Sequence, residues 1–209
     1  MNYQAFQNAF GKLLVVEVVE VEKAFPGFDR NALTRWQRAG YLEKIRNGYY
    51  RFTARPVADE AELFFIANRI YQPSYVSLQS ALSWHRFIPE GVFTVTSVTS
   101  LKTQSFNTTT GNFSYKSMRN DLFFGYQLEV FRDFRIKIAD PAKAILDLLY
   151  LFPVLNDESH FHELRLNVSE IDEKLNRSDF ENYLTIFDNR SLTSRAKKLL
   201  KFLDNHDFT

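Results

Sequence analysis

Residues 35–52 read RWQRAGYLEKIRNGYYRF, with Arg35, Arg38, Lys44, Arg46 and Arg51 set against Glu43, and with Trp36, Leu42, Ile45, Tyr49, Tyr50 and Phe52 threaded between the charges. Guanidinium groups offer forked donors that match phosphate oxygens, so the stretch has the side chains of an anion-binding surface. Over residues 28–55 seven basic residues, Arg30 and Arg55 completing the set, face only Asp29 and Glu43, whereas residues 57–209 carry 17 basic and 20 acidic residues and the whole chain is +1. A local basic patch on a near-neutral chain is the electrostatic footprint of a phosphate-binding module.

Other reactive residue types are present without the spacing that chemistry needs. Ser77, Ser80, Ser83 and His85 place hydroxyls beside an imidazole, but neighbours one or two residues apart on a helix do not face each other, so a nucleophile–base pair is not formed by them. His160 and His162 share a face only if the HFHE segment is extended, and they have no third or fourth ligand in view. Asp133, Asp140 and Asp147 do not cluster as nuclease carboxylates: Asp140 reads as a helix cap and Asp147 follows seven residues later on the same helix. The chain has no cysteine and no G-x-x-x-x-G-K-[ST] phosphate loop. An enzyme is therefore not expected, nor is a metal or cofactor.

The residues that read as anion-binding sit on a recognisable order of elements. Tyr3, Phe6, Phe10, Leu13 and Leu14 recur at helical spacing. VVEVVEVEKAF suits both a strand and a helix, and a short helix from about Glu17 to Phe25 is the expectation, stopped by PGFD. Asp29 is placed to cap a second helix to about Ala39. On that helix Ala32, Leu33, Trp36 and Ala39 form the inner side, leaving Asn31, Thr34 and Arg38 outward with Arg30, Arg35 and Gln37 beside them. Asn47-Gly48 predicts a two-residue type I′ hairpin in which Arg46 faces Tyr49, Ile45 faces Tyr50 and Lys44 faces Arg51. That register puts Ile45, Tyr50 and Phe52 on one side and Lys44, Arg46, Tyr49 and Arg51 on the other. Helix, helix, basic hairpin is the order of a winged helix-turn-helix, whose second helix enters the major groove.

A polar linker, ARPVADE, separates this unit from a mixed region: helices over DEAELFFIANRIY and VSLQSALSWHRF, the latter capped by Ser77, strands over GVFTVTSV, GNFSYKSM, DLFFGYQLEVF and FRIKIA, and a helix that Asp140 and Pro141 open. The last fifty residues read as helical, with capping-box patterns at Ser169–Asp172 and Ser178–Glu181 and a basic final helix around SRAKKLLKFL. The fold class expected is α+β: a winged helix-turn-helix over residues 1–56, an α+β domain over 57–155 and a helical C-terminal extension of it over 156–209. The N-terminus lacks a basic segment followed by an apolar run, and glutamates interrupt LLVVEVVEVEKAF, so neither secretion nor membrane insertion is expected and a cytoplasmic location is.

FPGFDRNALTRWQRAGYLEKIRNGYYRF, followed by PSYVSLQSALSWHRFIPE, FTVTS, GNFSYKSM and IADPAKAILDLLYL, resembles the AbiEi family of type IV toxin–antitoxin antitoxins, which are also transcriptional repressors. The ordered set is more specific than the first block alone, and residues from about Asn156 onward match no block. The resemblance implies DNA contacts at Arg30, Asn31, Thr34, Arg35, Arg38, Lys44, Arg46 and Arg51, on double-stranded DNA carrying inverted repeats in the chain's own promoter. It implies as functional partner a co-encoded nucleotidyltransferase-like toxin, counteracted without stable binding. The family is often described with a basic C-terminal surface, and this chain departs from that in its slightly acidic second part. Two protomers must occupy an inverted repeat, as a weak dimer or as monomers that pair on DNA. The alternative is a protein-interaction module that neutralises its toxin by direct contact, with the winged helix as scaffold.

Overall fold

The computed structural model describes residues 1–206, His206 by its backbone only. The first 52 residues form helices α1 (Tyr3–Phe10), α2 (Val18–Ala24) and α3 (Asn31–Arg38) around a three-stranded antiparallel sheet of β1 (Val16–Glu17), β2 (Leu42–Arg46) and β3 (Tyr49–Phe52), ordered β1-β3-β2. Their core is aromatic: Phe6, fully buried, has its ring centroid 4.7 Å from Trp36 and 5.4 Å from Phe52. Leu33, Leu42 and Tyr50 complete it. The helix expected from Tyr3 ends at Gly11, so Leu14 leaves that core and packs with Val15 in the larger one. The two-residue strand β1 is hidden in the ambiguous Val-Glu run; pairing with Tyr49 takes Glu17 out of the helix expected from about Glu17 to Phe25.

The rest of the chain is built on a six-stranded mixed sheet of β4 (Ser74–Val76), β5 (Thr94–Thr99), β6 (Gln104–Asn107), β7 (Asn112–Ser117), β8 (Tyr126–Phe131) and β9 (Phe134–Ala139), in the order β6-β7-β5-β4-β9-β8. Side chains alternate between its faces. On one lies α4 (Glu60–Ile70), where Tyr115 donates to the Ala67 carbonyl; on the other lie α5 (Leu78–Trp84) and α6 (Pro141–Leu151), reached by Tyr75 and Thr96. The architecture is α+β, as expected. Helices α7 (Glu158–Glu163), α8 (Val168–Lys174), α9 (Arg177–Phe187) and α10 (Arg190–His206) contribute Phe161, Ile171, Phe180, Phe187, Leu192 and Leu203 to the same large core. Two capping expectations move by two residues: Asn167 and Asn176, not Ser169 and Ser178, accept the free amides of α8 and α9. Among the described residues no helix is long and apolar enough to cross a membrane.

At the centre of the large core sits an ion pair. Lys143 and Asp147, one turn apart on α6 and both wholly buried, are hydrogen-bonded; Tyr75 Oη and Ser77 Oγ donate to the second carboxylate oxygen at 2.9 and 2.8 Å. The Lys143 ammonium also donates to Tyr75 Oη at 2.9 Å and lies 5.0 and 4.9 Å from the ring centres of Phe124 and Phe187. Ser77 thus spends its hydroxyl on Asp147 rather than on capping α5. Gly125 (φ +68°) packs so tightly here that a β-carbon would lie 3.0 Å from the Lys143 stem. Burial pushes Asp147 up and Lys143 down, each opposed by the charge of the other. Asp140 caps α6 as expected, accepting the Lys143 amide at 2.8 Å.

Removing one member of a buried pair strands the other charge, at a cost of about 3–5 kcal/mol. Asp147→Ala is expected to lower unfolding free energy by that order in chemical denaturation. His85 is buried at the end of α5, its Nε2–H donating to the Ala139 carbonyl at 2.8 Å, and burial lowers its pKa below the usual 6.5. The unfolded chain therefore binds the extra proton first, and stability falls as pH drops below about 6.5. Denaturation curves at stepped pH are expected to show this slope in the wild type and a shallower one in His85→Gln.

Candidate nucleic-acid interface

Asp29 opens α3: its carboxylate accepts the Asn31 amide at 2.9 Å, and Ala32, Leu33 and Trp36 turn inward. Arg30, Asn31, Thr34, Arg35 and Arg38 are left exposed, as the helical wheel predicts; Ala39, expected inside, is exposed as well. Beside the face a cavity of about 300 Å³ is lined by Arg30, Asn31, Thr34, Asn47, Gly48 and Tyr50, among others, so the tip of the β2–β3 hairpin closes it. Recognition-type side chains and the hairpin tip thus border one concave surface.

Two of the arginines already hold carboxylates. Arg30 grips Glu22 of α2 with two nitrogens, and Arg35 Nη2 reaches Asp29 at 3.2 Å. The Arg30 bond holds Glu22 below the usual carboxylate range; for Asp29 the Asn31 amide is the larger cause and Arg35 a lesser one. Both pairs lie at the solvent-facing surface, where water and salt screen such contacts and they add little to stability. Among the described residues neither Arg38 nor Lys44 has an ion-pair partner, and both are exposed.

The hairpin departs from its expected register. Gly48 takes a positive φ of +86° and Asn47 does not, so the turn is not type I′, which needs both. Arg46 still faces Tyr49, but the ladder shifts between Lys44 and Arg46; Lys44 faces Tyr50, and Glu43 faces Arg51. Ile45 is the extra residue of a bulge. It is buried in the large core, while Tyr50 stays in the small one.

Two of the expected DNA contacts, Arg46 and Arg51, lie on the expected side of the hairpin, but that side faces the second unit rather than solvent. Arg51 is only 8% exposed: it donates to the Arg55 carbonyl and to Thr110 Oγ1 at 3.2 Å, with Glu43 at 3.9 Å. Arg46 donates to the Ile70 carbonyl and lies 5.0 Å from the ring centres of both Tyr71 and Phe106. Both guanidinium groups fasten the hairpin to the second unit and are spent there. Arg69 of α4 adds a bridge back to Glu20 at 2.5 Å and Glu17 at 3.6 Å. The partners Ile70, Tyr71, Phe106 and Thr110 carry no local signal of this role, because each is 24 to 60 residues from the arginine it meets.

Among the described residues, the other reactive groups singled out in the sequence do not come together in an exposed cluster. Ser77, Tyr75, Lys143 and Asp147 lie together but at 0% exposure, sealed from any substrate in this conformation. His160 and His162 are on helix α7 rather than an extended segment, and His160 Nδ1 lies 2.7 Å from Asp157. Compared with known proteins, the chain matches no family model and no curated protein.

The two classes of arginine separate by experiment. Arg46→Ala removes a charged hydrogen bond and three ring contacts and is expected to cost about 2–3 kcal/mol in denaturant unfolding. Arg38→Ala and Lys44→Ala, at exposed positions, are expected within about 0.5 kcal/mol of wild type.

Proposed function

We propose that this chain is a DNA-binding regulator of the winged helix-turn-helix kind. We further propose, as its resemblance to the AbiEi family implies, that it represses its own operon and counteracts a co-encoded nucleotidyltransferase-like toxin from a cytoplasmic location. The observation that carries the DNA reading is the unbroken exposed face of α3, Arg30, Asn31, Thr34, Arg35 and Arg38, bordering a concave surface with the hairpin tip. Six of the eight expected contacts remain, Lys44 being the last; Arg46 and Arg51 are withdrawn from the set.

In this mechanism α3 enters the major groove, Asn31 reads a base edge, and the arginines and Lys44 neutralise phosphates. Arg30 and Arg35 exchange Glu22 and Asp29 for phosphate oxygens. The exchange costs little because the carboxylate pairs are exposed, while release of counterions from DNA favours it. A gel shift on the chain's own upstream DNA at several salt concentrations tests the reading. Arg35→Ala/Arg38→Ala is expected to bind more weakly with a salt slope shallower by about two. Asn31→Ala is expected to lose about 1–3 kcal/mol of discrimination between sequences. Unchanged binding in the double variant discards the face.

One observation favours a second reading, in which the winged helix is scaffold and the chain neutralises its toxin by direct contact: the hairpin's Arg46 and Arg51 serve the second unit rather than solvent. Co-purification of the toxin with the chain separates this reading from neutralisation without stable binding.

A further inference from the structure

We propose that the β8 edge joins two copies of this chain, strand to strand and antiparallel, about a two-fold axis that passes beside Leu128. The inference does not rest on the DNA-binding reading. β8 ends the six-stranded sheet and pairs only with β9. The β8–β9 hairpin turns through Arg132 and Asp133, so Phe131 and Phe134 form its closing hydrogen-bonded pair. By alternation the backbone N–H and C=O groups of Tyr126, Leu128 and Val130 then point away from β9. Among the described residues no backbone hydrogen bond takes them up.

Edges of this kind are usually guarded by lysine, proline or a bulge. Here the sequence is YQLEVF, paired without a register shift, and its outward apolar side chains Leu128 and Val130 are 54% and 70% exposed. The only charge, Glu129, is on the opposite face, where its carboxylate accepts Trp84 Nε1 at 3.0 Å and Gln127 Nε2 at 3.1 Å. The other end of the sheet is different: β6 reads QSFN, with Gln104, Ser105 and Asn107 exposed. One edge is polar and the other is apolar.

The occupant follows from the strand's own complementarity. With Leu128 opposite its counterpart, Tyr126 faces Val130 of the second copy, and all three outward-pointing residues form hydrogen-bonded pairs. The same register sets Gln127 against Glu129 on the other face, twice, a donor against a carboxylate. Shifted by one pairing step, Glu129 would oppose Glu129, which is unfavourable. Shifted the other way, Val130 loses its partner. A second copy therefore satisfies the apolar row, the polar row and the open backbone in one register.

Sedimentation velocity on the full chain over a wide concentration range tests this. The wild type is expected to show a concentration-dependent dimer. Leu128→Lys and Leu128→Glu, folded by circular dichroism, are each expected to lose the dimer at every concentration, because like charges meet at the axis. Their equimolar mixture is expected to regain it, since residue 128 faces residue 128. Gln104→Lys on β6 is expected to dimerise as the wild type does. A wild type that stays monomeric throughout overturns the proposal, as does a dimer that survives Leu128→Lys, or a mixture that remains monomeric.

Discussion

The β2–β3 hairpin has a hydrophobic core on each side of it, and the rest of the molecule is arranged by that constraint. Leu42, Tyr50 and Phe52 close the small aromatic core, while Ile45 is inserted into the large one. Alternation along β2 turns Ile45 to the side opposite Leu42, and the bulge at Ile45 keeps Arg46 on that same side, opposite Tyr49. Where the hairpin meets the second unit it is desolvated, and its polar groups there need protein partners. Arg46 finds the Ile70 carbonyl and the rings of Tyr71 and Phe106; Arg51 finds Thr110, Glu43 and the Arg55 carbonyl. The orientation of α3 relative to the six-stranded sheet is set through these contacts.

Burial therefore sorts one basic segment into two physical classes. Arg30, Arg35, Arg38 and Lys44 keep their charge in water, where attraction to a polyanion is available and existing carboxylate partners are cheaply displaced. Arg46 and Arg51 use long stems and flat guanidinium groups as packing material with directional donors. The two classes cannot exchange roles, since freeing Arg46 for phosphate would leave a buried carbonyl and three rings without their partner.

The second unit is organised around Lys143 and Asp147. Such a pair adds little net stability over an apolar substitute, but it tolerates few arrangements. Asp147 gathers donors from β4 and from the residue after it, so the central strand and α6 are tied at one point. Leu78, the first residue of α5, adopts φ +58° just beyond Ser77, a conformation that only its surroundings can impose on a side chain of that type. The strand β4 has only three residues, all buried, and it holds its place between β5 and β9 partly through this tie.

Much of this was legible in the sequence. The α+β class, the outward face of α3, the Asp140 cap and the strands β5, β7 and β9 follow from period, capping and turn residues, which act over a few positions and are written locally. The cap positions of α8 and α9 were off by two because asparagine and serine compete for the same amides. β1, β4 and β6 carry too few residues to show a period, and they exist because a partner strand is there. The sequence by itself determined which residues carry positive charge and that one helix would present six polar side chains, Gln37 among them, on its outer face. Only the tertiary structure decided which arginines meet water, because the side of the hairpin that carries Arg46 and Arg51 is covered by Ile70, Tyr71, Phe106 and Thr110, which come from a distant part of the chain.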